Sequence, residues 1–171
     1  MYNKMKRPSL YIILIAAFLI QLLFLDHIKI MGAKPDLLVI LVVFFAIFFG
    51  PGAGAEAGFV AGLFKDVYSL DIFGVNSVLL SLVGLIVGAL SPNIFKESKL
   101  TQGLIVFVSS VLCMISHYFV SAIILKITYI TLPEYLCNLI LPSSLYTAIL
   151  SLLLFPILIS RYRLKEIAEY L

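Results

Sequence analysis

Apolar residues run along this chain in long blocks separated by short polar breaks, and the length of the blocks sets the first reading. About 20 helical residues are needed to cross a hydrocarbon core of roughly 30 Å. Four blocks are clear, at about 9–26, 76–92, 101–125 and 141–160. The stretch from Leu37 to Phe64 is too long for one untilted span and is interrupted at Gly50-Pro51-Gly52. Proline removes a backbone donor and glycine loosens the chain, so a turn is predicted there. It divides the stretch into two short helices, about 36–49 and 52–65. The pattern predicts an all-α, polytopic membrane bundle of about six transmembrane helices, forming a single domain over residues 1–171.

The two short helices need shielding by longer neighbours or a locally thinned bilayer. The connection covering about 126–140 contains Pro133, Glu134 and Tyr135 and reads as a loop too small for a folded domain. At the C-terminal end, Leu164, Ile167, Ala168 and Leu171 fall at helical spacing, so residues 161–171 form a short amphipathic tail. It either lies along the membrane surface or is the polar end of the last helix. The basic start (Lys4, Lys6, Arg7) before an apolar run resembles a signal peptide. The run is long for that role and no small-x-small cleavage site follows, so it is read as a retained first helix.

Charge tests the division at Gly50, because Lys and Arg accumulate on the cytoplasmic side. With six spans, Lys4, Lys6, Arg7, Lys96, Lys99, Arg161, Arg163 and Lys165 lie inside, against Lys29, Lys34, Lys65 and Lys126 outside. With five spans the balance reverses, five against seven. Six helices with both termini cytoplasmic is therefore expected. Composition agrees: 63% of the 171 residues are hydrophobic and 12% charged, far from the near-half and quarter of a soluble domain. The net charge of +3 is scattered rather than gathered into a stripe, which gives no footprint for nucleic acid.

The sharpest local feature is a ladder of Gly50, Gly54, Gly58 and Gly62, with Ala53, Ala57 and Ala61 alongside. In lipid, helices gain from close backbone approach, so small residues mark packing faces. The third helix is expected to be buried, with the fourth, bearing Gly84 and Gly88, as its partner. Glu56 stands within the ladder and either snorkels to the near membrane face or makes a buried polar contact. Asp36, following Pro35, is placed to cap the second helix, and Asn76 or Ser77 to cap the fourth. Asp66 closes the third helix.

Candidate chemistry is sparse. Cys113 and His117 share a helical face, but two ligands do not make a zinc site. Neither a phosphate-binding loop nor a Gly-x-Ser-x-Gly elbow occurs. No enzymatic activity, cofactor or metal is expected.

Lys34-Pro35-Asp36-Leu37-Leu38, then Gly50-Pro51, Gly54, Gly58, Phe59, Gly62, Leu63, Asp66 and Ser69, then Gly74 and Gly88, together resemble the MreD family of rod shape-determining proteins. The motif-level likeness covers about residues 34–90, with Pro35, Asp36, Gly54, Gly58, Gly62, Asp66 and Gly74 at the family's recurrent positions. Glu56 is outside that pattern. The resemblance implies a fold like the substrate-binding subunits of energy-coupling-factor vitamin transporters. It also implies a bacterial inner-membrane, non-catalytic scaffold of the machinery that elongates the cell wall. The implied partners are MreC directly, and MreB, a SEDS-type glycan polymerase and a class B penicillin-binding protein in the wider complex. The alternative is a membrane subunit that captures a vitamin-like molecule from outside. Such a site needs convergent polar groups, and Asp66, Asp71, Asn76, Tyr135 and Asn138 are few.

Overall fold

The computed structural model describes residues 7–25, 33–68, 72–93, 98–125 and 131–169, with the side chains of 7–9, 24–25, 93, 124–125 and 161–169 outside that description. Six helical rods make up these residues. The first is α1 (Arg7–Ile20), which widens into a π-helical turn, Gln21–Leu25. Then follow α2 (Leu37–Phe49), α3 (Pro51–Tyr68) and α4 (Val75–Leu90), the last closed by a 3₁₀ turn at Ser91–Asn93. α5 (Lys99–Val120) also ends in a π turn, Ser121–Leu125. The sixth rod is continuous through α6 (Leu132–Tyr135), a π segment (Leu136–Ile140) and α7 (Leu141–Glu169).

The break between α2 and α3 is a single residue. Gly50 adopts φ 89°, a left-handed conformation that side chains resist. Pro51 follows as the first residue of α3, where its fixed φ suits a helix start and its missing N–H has no partner to lose. The chain reverses there, and Lys65 at the end of α3 reaches Asp36 at the start of α2. Gly50 thus belongs to the turn, and the ladder on α3 proper is Gly54, Gly58 and Gly62.

The most enclosed helix is α2, not the expected α3. Its thirteen residues, LLVILVVFFAIFF, are apolar all round, and every one from Leu37 to Ile47 is buried. A helix without a polar face has no side to offer water. It sits at the centre, packed against α1, α3, α4, α5 and α7, and Phe44 stacks near Phe48 and Phe155, with ring centroids 4.9 and 5.6 Å away. Thirteen residues rise only about 20 Å, so neighbours supply the shielding that so short a helix needs. α3, by contrast, buries Gly54, Ala57, Gly58, Ala61, Gly62 and Asp66 on one side and exposes Phe59, Val67 and Tyr68 on the other.

The last rod begins earlier than the apolar run, at Leu132. Thr131 precedes it, and its backbone N–H and hydroxyl both donate to the Glu134 carboxylate, at 3.3 and 3.0 Å. The backbone bond is the Glu134 half of a capping box, and Pro133 costs nothing in a first turn. Pro142 lacks the N–H that would bond four residues back, and the π segment before it accommodates the crowding. The helix continues without a break past Ser160 to Glu169. Of the two readings of the tail, the backbone follows an extension of the last helix; the amphipathic face itself falls on side chains outside those described.

The surface is inverted relative to a soluble domain. α7 exposes Leu141, Leu145, Ile149, Leu153 and Ile157, one every fourth residue, while burying Ser143, Ser144, Thr147 and Ser151. α5 likewise exposes Leu100, Leu104, Val108 and Leu112 and buries Gln102, Ser109 and Ser110. Long apolar stripes of this kind are not left facing water. Two stretches, Lys99–Ile123 and Leu132–Ser160, are long and apolar enough to cross a bilayer.

Candidate functional site

Two regions bear on function, a seam and a cavity, and α3 contributes to both. In the seam α3 and α4 lie antiparallel at close backbone contact. A Cβ added to Gly58 would sit 2.1 Å from the Leu80 carbonyl oxygen, one on Gly62 2.2 Å from Ser77 Cα, and one on Gly54 2.4 Å from the Gly84 oxygen. From the other side, a Cβ on Gly84 would meet Gly54 at 2.1 Å and one on Gly88 would meet Pro51 at 2.4 Å. No side chain larger than hydrogen fits at these five positions. Gly52, on the outer side, has nothing within 4 Å. The ladder is therefore used up inside the bundle, leaving none of its three α3 glycines for an outside helix.

At one end of the seam the side chains return. Asp66, 4% exposed, accepts from the backbone N–H groups of Asn76 and Ser77, each at 3.0 Å, from Asn76 Nδ2 at 3.0 Å, and from the Ser77 hydroxyl. Those two amides are the second and third of α4, the ones a capping side chain normally serves. The residue in the capping position is Gly74, at φ 97° and with no side chain. Asp66 supplies the missing cap from the neighbouring helix. The expectation that Asn76 or Ser77 would accept for α4 is corrected: both donate, and the acceptor comes from α3.

Asp36 does cap α2, as its place after Pro35 predicts. Its Oδ1 accepts from Leu38 and Val39 at 3.1 and 3.2 Å, and its Oδ2 pairs with the Lys65 ammonium. Gln21 Oε1 accepts from the Leu37 and Leu38 amides at 3.1 and 3.4 Å, and the Asp36 amide donates to Thr147 Oγ1 at 3.1 Å. Thr147 in turn donates to the Ser143 carbonyl at 2.7 Å. Four helices, α1, α2, α3 and α7, are thereby joined at one end of the bundle. Pro35, buried beside Asp36, starts this segment.

Glu56 makes a polar contact, at an exposed position. The Tyr11 hydroxyl of α1 donates to its Oε1, tying α1 to α3 at the end away from Lys65.

Beside the Asp36–Lys65 pair opens a cavity of about 380 Å³. α5 lines it with Ser110, Cys113, Met114 and His117, a single face at helical spacing. Across from them stand Gln21 of α1, Lys34 before α2, Asn76 of α4, and Ser143 and Thr147 of α7. The sequence count of polar groups at this end missed most of these. A repeat of polar residues at 110, 113 and 117, and again at 143 and 147, was the available signal. Ser110 also accepts from Ser144 at 3.2 Å, joining α5 to α7. Of the residues named for the alternative reading, Asn76 and Tyr135 line the cavity, Asp66 lies behind the wall as a cap, and Asp71 is outside the described residues. Among the described residues no group of three or more His, Cys, Asp and Glu side chains is placed to hold a metal ion.

A bundle whose α5 and α7 turn leucine and isoleucine outward and hydroxyl residues inward, around an all-apolar central helix and with charges paired at helix ends, has the make-up of an integral membrane protein. The family model for the rod shape-determining protein MreD matches residues 4–165. The chain belongs to the MreD family, whose members are membrane proteins of the shape-determining machinery and are not known as enzymes. Neither a curated protein nor a solved structure matches it.

Proposed function

We propose that the chain is a non-catalytic scaffold of the cell-wall elongation machinery, holding MreC directly and, through that complex, MreB, a SEDS-type polymerase and a class B penicillin-binding protein. It crosses the bacterial inner membrane six times as one domain with both termini in the cytoplasm. The likeness to energy-coupling-factor substrate-binding subunits belongs to the same reading. The observation that carries it is family membership over nearly the whole chain. The bundle supports it physically. The α3–α4 seam is closed within the molecule, so the outer stripes of α1, α4, α5 and α7 are left for lipid and partner helices. In this reading MreC packs on those stripes, and Gly50, Gly54, Gly58, Gly62, Gly84 and Gly88 hold the scaffold in shape. Depleting the protein from a rod-shaped host should round the cells, and the tagged protein should bring down MreC. Rods that persist, with no MreC recovered, contradict the proposal.

The second reading, a subunit that captures a vitamin-like molecule, gains from the cavity, whose polar lining is richer than the sequence suggested. Under the six-span topology this cavity faces outward. Binding of a vitamin to the purified protein, with rod shape unaffected by depletion, would favour it.

A further inference from the structure

We infer that the cavity beside Asp36 and Lys65 is a binding site for a small uncharged molecule, one with an apolar body and an amide- or alcohol-type head that both donates and accepts. This goes beyond the scaffold reading and does not rest on it: MreC recovery tests that reading, and probe binding tests this one. The volume of about 380 Å³ falls within the roughly 300–1,000 Å³ of small-molecule sites. Two π turns contribute to the wall, Gln21–Leu25 through Gln21 and Leu22, and Leu136–Ile140 through Leu139. Single π turns recur at functional sites.

The charges at this end cancel, and each is engaged. Lys34, Lys65 and Asp36 stand in the wall with Asp66 behind it. Lys65 pairs with Asp36, the first turn of α4 fills Asp66, and Lys34 lies 5.7 Å from the centroid of the Tyr68 ring. A charged ligand would give up its hydration for no counter-charge. The capacity left open is neutral. α7 buries the hydroxyls of Ser143, Ser144, Thr147 and Ser151. Thr147 and Ser151 donate to α7 carbonyls, and Ser144 donates to Ser110. Ser143, 5% exposed and lining the cavity, has no partner for its hydroxyl among the described residues. A buried hydroxyl left so is costly until something fills it. Gln21 and Asn76 are half-used. Gln21 Oε1 accepts from the α2 amides, which leaves its Nε2 donor over, and Asn76 Nδ2 donates to Asp66, which leaves its Oδ1 acceptor over. One donor, one acceptor and a hydroxyl able to do either thus line one chamber, whose apolar surface comes from Phe18, Leu22, Val39, Met114 and Leu139.

Probes with one naphthalene body, substituted at the same ring position, separate the head groups: naphthamide; naphthoate, an anion; naphthylmethylamine, protonated to a cation; and acetonaphthone, which keeps the carbonyl but has no donor. Each is equilibrated by dialysis with phosphatidylcholine nanodiscs that carry the protein, and the amount held by empty nanodiscs is subtracted. Naphthamide should bind saturably, at about one per protein, and at least about tenfold more tightly than the others, the scale of one buried hydrogen bond or charge left unmatched. Ser143→Ala should weaken it about fivefold. Leu139→Trp, which fills the chamber from a partly exposed position, should abolish binding, whereas Leu145→Trp, on the outer stripe of α7, should leave it unchanged. A neutral lipid and a soluble molecule share this chemistry: dioctanoylglycerol in the nanodisc should displace naphthamide if the natural occupant is a lipid, and leave it bound if the occupant is soluble. No saturable naphthamide binding, equal binding of all the probes, tighter binding of either charged one, or naphthamide binding undiminished in Ser143→Ala or Leu139→Trp, overturns the proposal.

Discussion

The α3–α4 seam and the cavity at the α2 N-terminus are built from the same helix one turn apart, and they are opposites. From Gly54 to Gly62 every buried side chain of α3 is a hydrogen or a methyl group, and the α3 and α4 backbones meet. At Lys65 and Asp66 polar side chains return and each finds a partner, Asp66 on the first turn of α4 and Lys65 on Asp36 beside the cavity. In a bilayer, where burying an apolar residue gains little over leaving it in lipid, this is how a chain chooses between a joint and a chamber. Small residues close the seam; the paired polar residues stand where the cavity begins.

The contrast breaks most severely at Gly58. Replacing it with Leu drives a side chain into the Leu80 backbone, and a loss of ~3 kcal/mol or more is expected, the upper end of overpacking costs. Size-exclusion profiles in detergent should show little monodisperse protein. Asp66→Ala comes next. It leaves two α4 amides and two side-chain donors without their acceptor, for about 2–3 kcal/mol, and amide exchange at Asn76 and Ser77 should accelerate. Lys65→Ala removes the ion partner of Asp36 in a pair whose side chains are about one-fifth exposed, so ~1–2 kcal/mol is expected, between the surface and buried limits. Denaturant midpoints in mixed micelles measure it. Ser110→Ala deletes one hydroxyl bond between α5 and α7, for about 0.6 kcal/mol, and a double-mutant cycle with Ser144→Ala isolates it. Gly52→Ala sharpens the comparison by its sign. On the open side of α3 a methyl meets nothing within 4 Å, so helix propensity alone should raise stability by about 0.5–1 kcal/mol.

The bundle was legible in the sequence because the bilayer enforces it. Apolar runs of this length fold as helices, and Gly50-Pro51 divides two of them at a turn. The α3–α4 pairing was legible for a similar reason, since glycines at intervals of four on both helices have few other uses. The buried helix was misjudged because small residues signal close approach, whereas the all-apolar run of α2 signals enclosure, and in a membrane the two patterns need not coincide. The Asp66 cap was hidden because it serves α4 from α3, a relation with no local spacing rule. The cavity was hidden because its polar groups come from six separate segments, each too weakly polar to stand out alone. Gln21, Ser143 and Thr147 look like ordinary membrane-helix polar residues until the α2 N-terminus is placed among them.

Under the proposed scaffold role, a glycine-closed bundle is what holds MreC. The most direct test is the amount of MreC recovered per tagged molecule in the membrane, for the wild-type chain, Gly58→Leu and Gly52→Ala. MreC should fall to background with Gly58→Leu and stay at the wild-type level with Gly52→Ala. Undiminished MreC with Gly58→Leu, or loss with Gly52→Ala as severe as with Gly58→Leu, would contradict the account.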